Sequence, residues 1–428
     1  EITNVSTSST EDSITINVTA TNGDGTITKY MYSRDNGSNW YESTSASYTF
    51  SNLTSNTTFY VQVKVVDNNN RESAVSNTTI KTQYINPVVN SVSASDITEN
   101  SITLTVNATA GSNSIATYYY SSDNGSSYVS SSSNTYTFNN LSAGTTYNFR
   151  VYVVDSGGVQ SNYGSTSAAT YILLADYIKG LYTSQGSNGI YYHTSSLANS
   201  AGDNSYRYGG ANPNNYVCFG SDSSSCSSNN LYRIIGVFGD EVKLIKSTSY
   251  GNYAWDNRQS NTWNSSTKPT IRTTLNTTFL ESLSSTWQNK IATHAFKVGG
   301  ISYNINDSYT VQKYYNLEVG NSSNNITDNM KVGLMYVSDY GYSAPPDYWT
   351  ADIASNSIDN NYWMYSGAIE WTISRDSNNS TGAFRVYRAA WGYFNSASAI
   401  TIRPVFYLNS NVQYASGTGT SNNPIRIN

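Results

Sequence analysis

Three hexapeptides near the start of the chain recur at one fixed spacing, and this repeat constrains the fold more than any other feature. Ser13-Ile14-Thr15-Ile16-Asn17-Val18 returns as Ser101-Ile102-Thr103-Leu104-Thr105-Val106. Tyr32-Ser33-Arg34-Asp35-Asn36-Gly37 returns as Tyr120-Ser121-Ser122-Asp123-Asn124-Gly125, and Tyr48-Thr49-Phe50-Ser51-Asn52-Leu53 as Tyr136-Thr137-Phe138-Asn139-Asn140-Leu141. All three pairs keep an offset of 88 residues. A period that long holds a whole domain rather than a solenoid unit, so two like domains stand in tandem.

Within each repeat the apolar residues alternate with period two. Ile14, Ile16 and Val18 share one face of a strand, as do Phe59, Val61, Val63 and Val65. Asn36-Gly37 and Asn124-Gly125 fall between strand-like runs, where a type I′ hairpin turn needs two residues of positive φ. Short strands with regular turn signals predict antiparallel β-sandwiches over residues 1–84 and 85–171.

Composition agrees with a mainly β chain. Charged residues make up 12% of it, about half the usual ~25%, and Asn, Ser, Thr, Gly and 39 Tyr take their place. Tyr and Thr suit pleated surfaces, while Asn, Ser and Gly suit turns. Aromatics at 14%, with regular Val/Ile alternation, argue against disorder. A net charge of −5, without a basic stripe, argues against a nucleic-acid partner. No apolar run approaches the roughly 18 residues a bilayer-spanning helix needs, so membrane association is expected only through a segment outside this sequence.

The run Leu141-Ser142-Ala143-Gly144-Thr145-Thr146-Tyr147-Asn148-Phe149-Arg150-Val151 resembles the corner before strand F of fibronectin type III domains. The resemblance implies that Tyr147 is the corner tyrosine, its hydroxyl bonded back to the backbone. The first repeat departs from it with Phe59, and Val18 and Val106 stand where that family carries a core Trp. Neither repeat offers an Arg-Gly-Asp motif or a cluster of carboxylates, His or Cys. Both are expected to act as spacers.

The pattern changes near Tyr171, and residues 172–428 are expected to form a third domain. Residues 172–181 place apolar side chains at helical spacing and open it. Cys218 and Cys226 flank a Ser/Gly/Asp-rich loop, a spacing that suits a disulfide in an oxidising compartment. A metal site would need further Cys or His nearby, and the chain holds two His, His193 and His294, so no metal is expected. The runs 231–238 and 241–246, joined by Gly239-Asp240, predict a β-hairpin. Ile271, Leu275, Phe279 and Leu283, spaced four apart, predict one helix broken near Ser284-Ser285, or two short ones. Asp339 reads as a turn-capping carboxylate.

Four pieces in order resemble bacterial surface domains of the C-type-lectin-like fold, related in architecture to formylglycine-generating enzymes. They are Thr274-Leu275-Asn276-Thr277-Thr278-Phe279-Leu280, Tyr348-Trp349-Thr350, Gly367-Ala368-Ile369-Glu370-Trp371-Thr372 and Ile402-Arg403-Pro404-Val405-Phe406-Tyr407-Leu408. The resemblance implies an α+β, C-type-lectin-like head over residues 172–428. It does not carry over catalysis. Those enzymes depend on active-site thiols, and the matching stretch 384–393 contains no Cys. No paired acid, base or metal ligand accompanies Glu370, so no enzyme activity and no cofactor are expected.

Alternation turns Glu370 away from Ile369 and Trp371, and Arg403 away from Ile402. On neighbouring strands the two would pair, making Trp349, Glu370, Trp371 and Arg403 a structural framework. The candidate ligand-binding residues lie between them: Arg385, Tyr387, Arg388, Trp391, Tyr393, Phe394 and Asn395. Large amphipathic side chains of this kind supply interface hot spots. The expected protein is extracellular, bacterial and adhesin-like, with a host or bacterial surface protein or a glycan as partner. The alternative is a subunit of a filament, pilus or surface coat that contacts copies of itself.

Overall fold

A computed structural model describes residues 1–302, 304, 308–320, 326–350, 362–387 and 389–428, with the backbone alone at 389–393. The chain divides into two compact units, Glu1–Tyr171 and Ile172–Asn428.

The first repeat contributes β1 (Ile2–Ser9), β2 (Ile14–Ala20), β3 (Ile27–Ser33), β4 (Tyr41–Ser43), β5 (Ser47–Phe50), β6 (Thr58–Asp67) and β7 (Ser76–Lys81). They form a three-stranded sheet, β1-β2-β5, and a four-stranded sheet, β4-β3-β6-β7. The second repeat contributes β8 (Val88–Ser95), β9 (Ile102–Thr109), β10 (Ile115–Ser121), β11 (Val129–Ser131), β12 (Thr135–Phe138), β13 (Thr146–Asp155) and β14 (Gly164–Ala169). Its sheets, β12-β9-β8 and β11-β10-β13-β14, repeat the first topology strand for strand.

Alternation explains the packing. Ile14, Ile16 and Val18 of β2 face Val61 and Val63 of β6 in the first core, while Thr15 and Asn17 between them point outward. Tyr32 and Tyr120 sit fully buried in the two cores, each donating its hydroxyl to a carbonyl at 2.8 Å, Ser45 and Ser133 respectively. The Tyr147 hydroxyl accepts from the Ser142 amide at 2.8 Å, which makes it a tyrosine corner; Phe59 packs at the same place without that bond.

One local expectation is corrected. Asn36 and Gly37 do adopt positive φ, 57° and 83°, but not in a two-residue hairpin. The ladder between β3 and β4 closes only at Tyr32 opposite Tyr41. Asp35 organises the longer connection: its carboxylate accepts from Ser33 Oγ and from the backbone and side-chain nitrogens of Asn39. The Asn36 amide meanwhile bonds Tyr60 O on β6. These bonds outweigh the intrinsic preference of Asn-Gly for a tight turn.

The second unit opens with α1 (Leu174–Leu181), β15 (Ile190–Tyr192), β16 (Tyr206–Tyr208), β17 (Tyr216–Cys218), β18 (Leu231–Phe238), β19 (Glu241–Lys246) and β20 (Gly251–Tyr253). Then come α2 (Thr270–Thr273), α3 (Ser285–Asn289), β21 (His294–Lys297), α4 (Val311–Glu318), β22 (Thr327–Met330), β23 (Val332–Gly333) and α5 (Val337–Tyr342). It closes with β24 (Glu370–Arg375), β25 (Gly382–Tyr387), β26 (Ala389–Asn395), β27 (Ile400–Ile402), β28 (Val405–Tyr407), β29 (Tyr414–Ser416) and β30 (Arg426–Ile427). One sheet runs β15-β16-β18-β19-β28-β23, with β17 also on β18; a second runs β20-β27-β24-β25-β26.

Gly239, at φ 62°, turns the β18–β19 hairpin and leaves Phe238 opposite Glu241. The segment after α2 continues as a π-helical stretch over Thr274–Phe279, and a break at Leu283 and Ser284 precedes α3. Side chains four apart drift by about 40° per step on an α-helix. A wider π turn reduces that drift, and Ile271, Leu275 and Phe279 all stay buried. Buried tryptophans form much of the core, and the four most buried have their indole N–H satisfied: Trp255 by Thr372 O, Trp263 by Asp328, Trp349 by Ala344 O and Trp371 by Tyr253 O.

Candidate functional site: an edge hairpin and a sealed charge cluster

Apart from Arg388, the proposed ligand residues fall on β25 and β26, with β26 at one end of its five-stranded sheet among the described residues. Phe384 and Val386 of β25 point into the core, which turns Arg385 and Tyr387 to the other face. The Arg385 guanidinium lies 4.0 Å from the centre of the Phe394 ring, and burial lowers its pKa. Phe394 in turn packs tilted against Trp371, their ring centres 6.3 Å apart, while Tyr387 is 38% exposed. Asn395 is exposed and accepts from the Ala397 amide. The ladder slips between Phe384 opposite Tyr393 and Arg385 opposite Trp391, a bulge that re-aims side chains at a sheet edge. Arg388, and the side chains of Trp391 and Tyr393, lie outside the described residues.

Behind the hairpin stands the framework. Glu370 pairs with Thr401 of β27 in the ladder, and Arg403 follows that strand. Arg403 donates to Glu370 from Nη2 at 2.7 Å and from Nε at 3.1 Å, and Ser366 Oγ adds a bond at 2.6 Å. Trp349 and Trp371 are fully buried. Both faces of β24 are covered, since Glu370, Trp371, Thr372, Ile373 and Ser374 are all buried.

Cys218 and Cys226 form a disulfide. Beside it lies a polar groove of about 700 Å³, lined in part by Ser221, Asp222, Trp287, Arg426 and Asn428. Arg426 holds the loop by donating to Ser223 O and Ser224 O.

Sequence reasoning missed the most unusual electrostatics. Arg207 on β16 pairs with Asp203 at 2.6 Å and lies 3.7 Å from Asp339. Lys243 on β19 donates to the other Asp339 oxygen at 2.6 Å. Arg207, Lys243 and Asp339 are at most 3% exposed, so this is an ion cluster inside the unit. Burial raises the Asp203 carboxyl, but the Arg207 charge and the Ser205 bonds outweigh it and hold the pKa well below the usual range. Burial lowers the Lys243 ammonium, against the pull of Asp339. Nearby Glu318, sealed on α4, is pushed by burial up to about 7, although it accepts from Ser338, Ser374 Oγ and the Val337 amide.

A cavity of about 210 Å³ opens beside this cluster, lined also by His294, Lys297, Tyr315 and Tyr407. His294 bonds the Glu241 carboxylate at 2.9 Å and stacks on Tyr407; burial lowers its pKa against that bond. His193 is fully buried against Trp349, its Nδ1 accepting from the Ala201 amide, and burial drives its pKa well down. Both histidines have packing roles. A usable signal did exist: in so weakly charged a chain, Lys243 stands between Val242 and Leu244, and Arg207 between Tyr206 and Tyr208.

Fold and sites thus define a mainly β protein with two like sandwiches and a larger α+β unit. Residues 87–169 match the fibronectin type III domain family. A two-domain fibronectin type III segment of chicken tenascin is 18% identical, covering 40% of this chain and 99% of that one, with a TM-score of 0.27. The FN1–FN3 domains of chicken CNTN1 are 14% identical over 40% of this chain and 66% of that one, with a TM-score of 0.19. No curated protein matches the chain. The second sandwich is thus fibronectin type III-like, and the first shares its strand order. Such domains are typical of extracellular and surface proteins, and a disulfide fits the same compartment.

Proposed function

We propose that the chain is an extracellular, adhesin-like bacterial surface protein. Two fibronectin type III-like spacers precede a C-type-lectin-like head, which binds a surface protein or glycan through the β25–β26 hairpin. The observation that carries this reading is Arg385 stacked on Phe394 beside the exposed Tyr387, on the outward face of a strand pair at a sheet edge. Arg and Tyr with ordered neighbours bind at low entropic cost.

The reading assigns no catalysis to the head. Its two cysteines are bonded to each other, and Glu370 is neutralised by Arg403. The test is an array of glycans and surface proteins, probed with the whole chain and with a Tyr387→Ala/Arg388→Ala/Trp391→Ala variant. Loss of discrete binding in the variant supports the reading; an unchanged profile sinks it. The position of β26 at the end of its sheet favours a second reading, a filament or coat subunit pairing edge to edge. Filaments in electron micrographs at high concentration support that one, and a strictly monomeric chain counts against it.

A further inference from the structure

We propose that Lys243 and Asp339 condense into an intramolecular isopeptide bond, which ties β19 to the first turn of α5. The Lys243 Nζ stands 2.6 Å from Asp339 Oδ2 across a sequence separation of 96 residues. Neither partner is free to wander. Lys243 lies on β19, an interior strand between β18 and β28. The Asp339 carboxylate is clamped by the Tyr336 amide, which donates to Oδ2 at 2.8 Å, and Arg207 Nη1 lies 3.7 Å from Oδ1. Such fixed proximity replaces a bimolecular encounter with an intramolecular one.

The surroundings suit the chemistry. The rings of Tyr336, Tyr407 and Phe238 lie 4.8, 5.2 and 5.4 Å from Nζ, and both side chains are at most 2% exposed. This crowding by aromatic rings restricts the water that would reverse a condensation. It also favours the neutral amine that must attack, in line with the lowered pKa of Lys243. The Tyr336 amide and the Arg207 guanidinium are placed to stabilise charge developing on the carboxyl oxygens. Glu318 acts electrostatically on Lys243 and binds the amides of Val337 and Ser338, the two residues before Asp339.

The step balances without a co-reactant. One ammonium proton of Lys243 passes to the Asp339 carboxylate, leaving an amine and a carboxylic acid. Nζ attacks Cγ and the Nζ–Cγ bond forms. A Cγ–O bond then breaks, the departing hydroxyl taking the proton that the nitrogen gives up. The products are a secondary amide and one water, and the cavity beside the pair gives that water an exit.

Intact mass spectrometry of the denatured whole chain tests the proposal, which does not depend on the identity of any ligand. The expected mass lies about 18 Da below that of the sequence, with a branched peptide joining residues 243 and 339 in the digest. Lys243→Arg should restore the full mass and abolish the branched peptide. Asp339→Asn should reach the same final mass as the unaltered chain, because ammonia leaves in place of water and the amide is identical. An N-terminal Glu1 that cyclises also loses one water, so fragmentation must locate the loss. A full-mass chain, a loss confined to Glu1, or separate recovery of unmodified peptides carrying 243 and 339 would overturn the proposal.

Discussion

The guanidinium of Arg403 closes on the Glu370 carboxylate with bonds of 2.7 and 3.1 Å, and its Nη2 also donates to Met364 O at 2.5 Å. This sealed pair anchors the strand behind the candidate ligand hairpin. Removing one partner strands a buried charge, so Arg403→Met should destabilise the C-terminal unit by about 3–5 kcal/mol. Arg403→Met with Glu370→Leu should recover part of that loss. Tryptophan fluorescence during denaturant unfolding reads this directly, because every tryptophan but Trp40 lies in that unit.

Glu318 gives the same unit a pH dependence. Its carboxyl titrates near 7 in the folded chain against an ordinary 4.5, so the folded state binds the proton more tightly. The contribution favours folding below pH 4.5 and is lost as pH rises toward 7. Across that window stability should fall by on the order of 3 kcal/mol. Glu318→Gln should flatten the slope in denaturation curves taken between these limits, and an unaltered slope would remove Glu318 as its source.

The disulfide should matter locally. Cys226→Ser, or reduction, should cost about 2–3 kcal/mol by releasing a short loop. Hydrogen exchange over residues 219–230 should accelerate while the β18–β19 hairpin keeps its protection, since Arg426 is the remaining tether on Ser223 and Ser224.

In the second sandwich, Tyr147→Phe removes the bond to the Ser142 amide and copies the chemistry that Phe59 already gives the first. The expected cost is about 1 kcal/mol, read as roughly five-fold faster exchange of the Ser142 amide.

How far these features could be read from the sequence follows from their range. The repeat offset and the alternation of Ile14, Ile16 and Val18 are local patterns, and both sandwiches follow from them with one topology. The β18–β19 hairpin was equally legible, because Gly239 sits at its turn. The connection at Asn36-Gly37 was not, because Asp35 reaches across it to Asn39 and overrides the tight-turn preference. The π turn escaped because a four-residue apolar spacing reads first as an α-helix. The Glu370–Arg403 bond was legible from strand alternation once the two segments were taken as neighbours. The Lys243–Asp339 contact was legible only in part: a lysine between Val242 and Leu244 marks a buried charge, but only tertiary packing shows its partner, 96 residues away. Asp339 does cap its helix, accepting from the Tyr336 amide, but that role conceals its second partner.

The β25–β26 hairpin is the proposed ligand surface. The most direct measurement is hydrogen exchange of the whole chain with and without an array-positive ligand at saturation. New protection is expected over residues 382–395, with the sandwiches unchanged. Protection confined to Glu1–Tyr171, or to the groove beside Cys218 and Cys226, would contradict it.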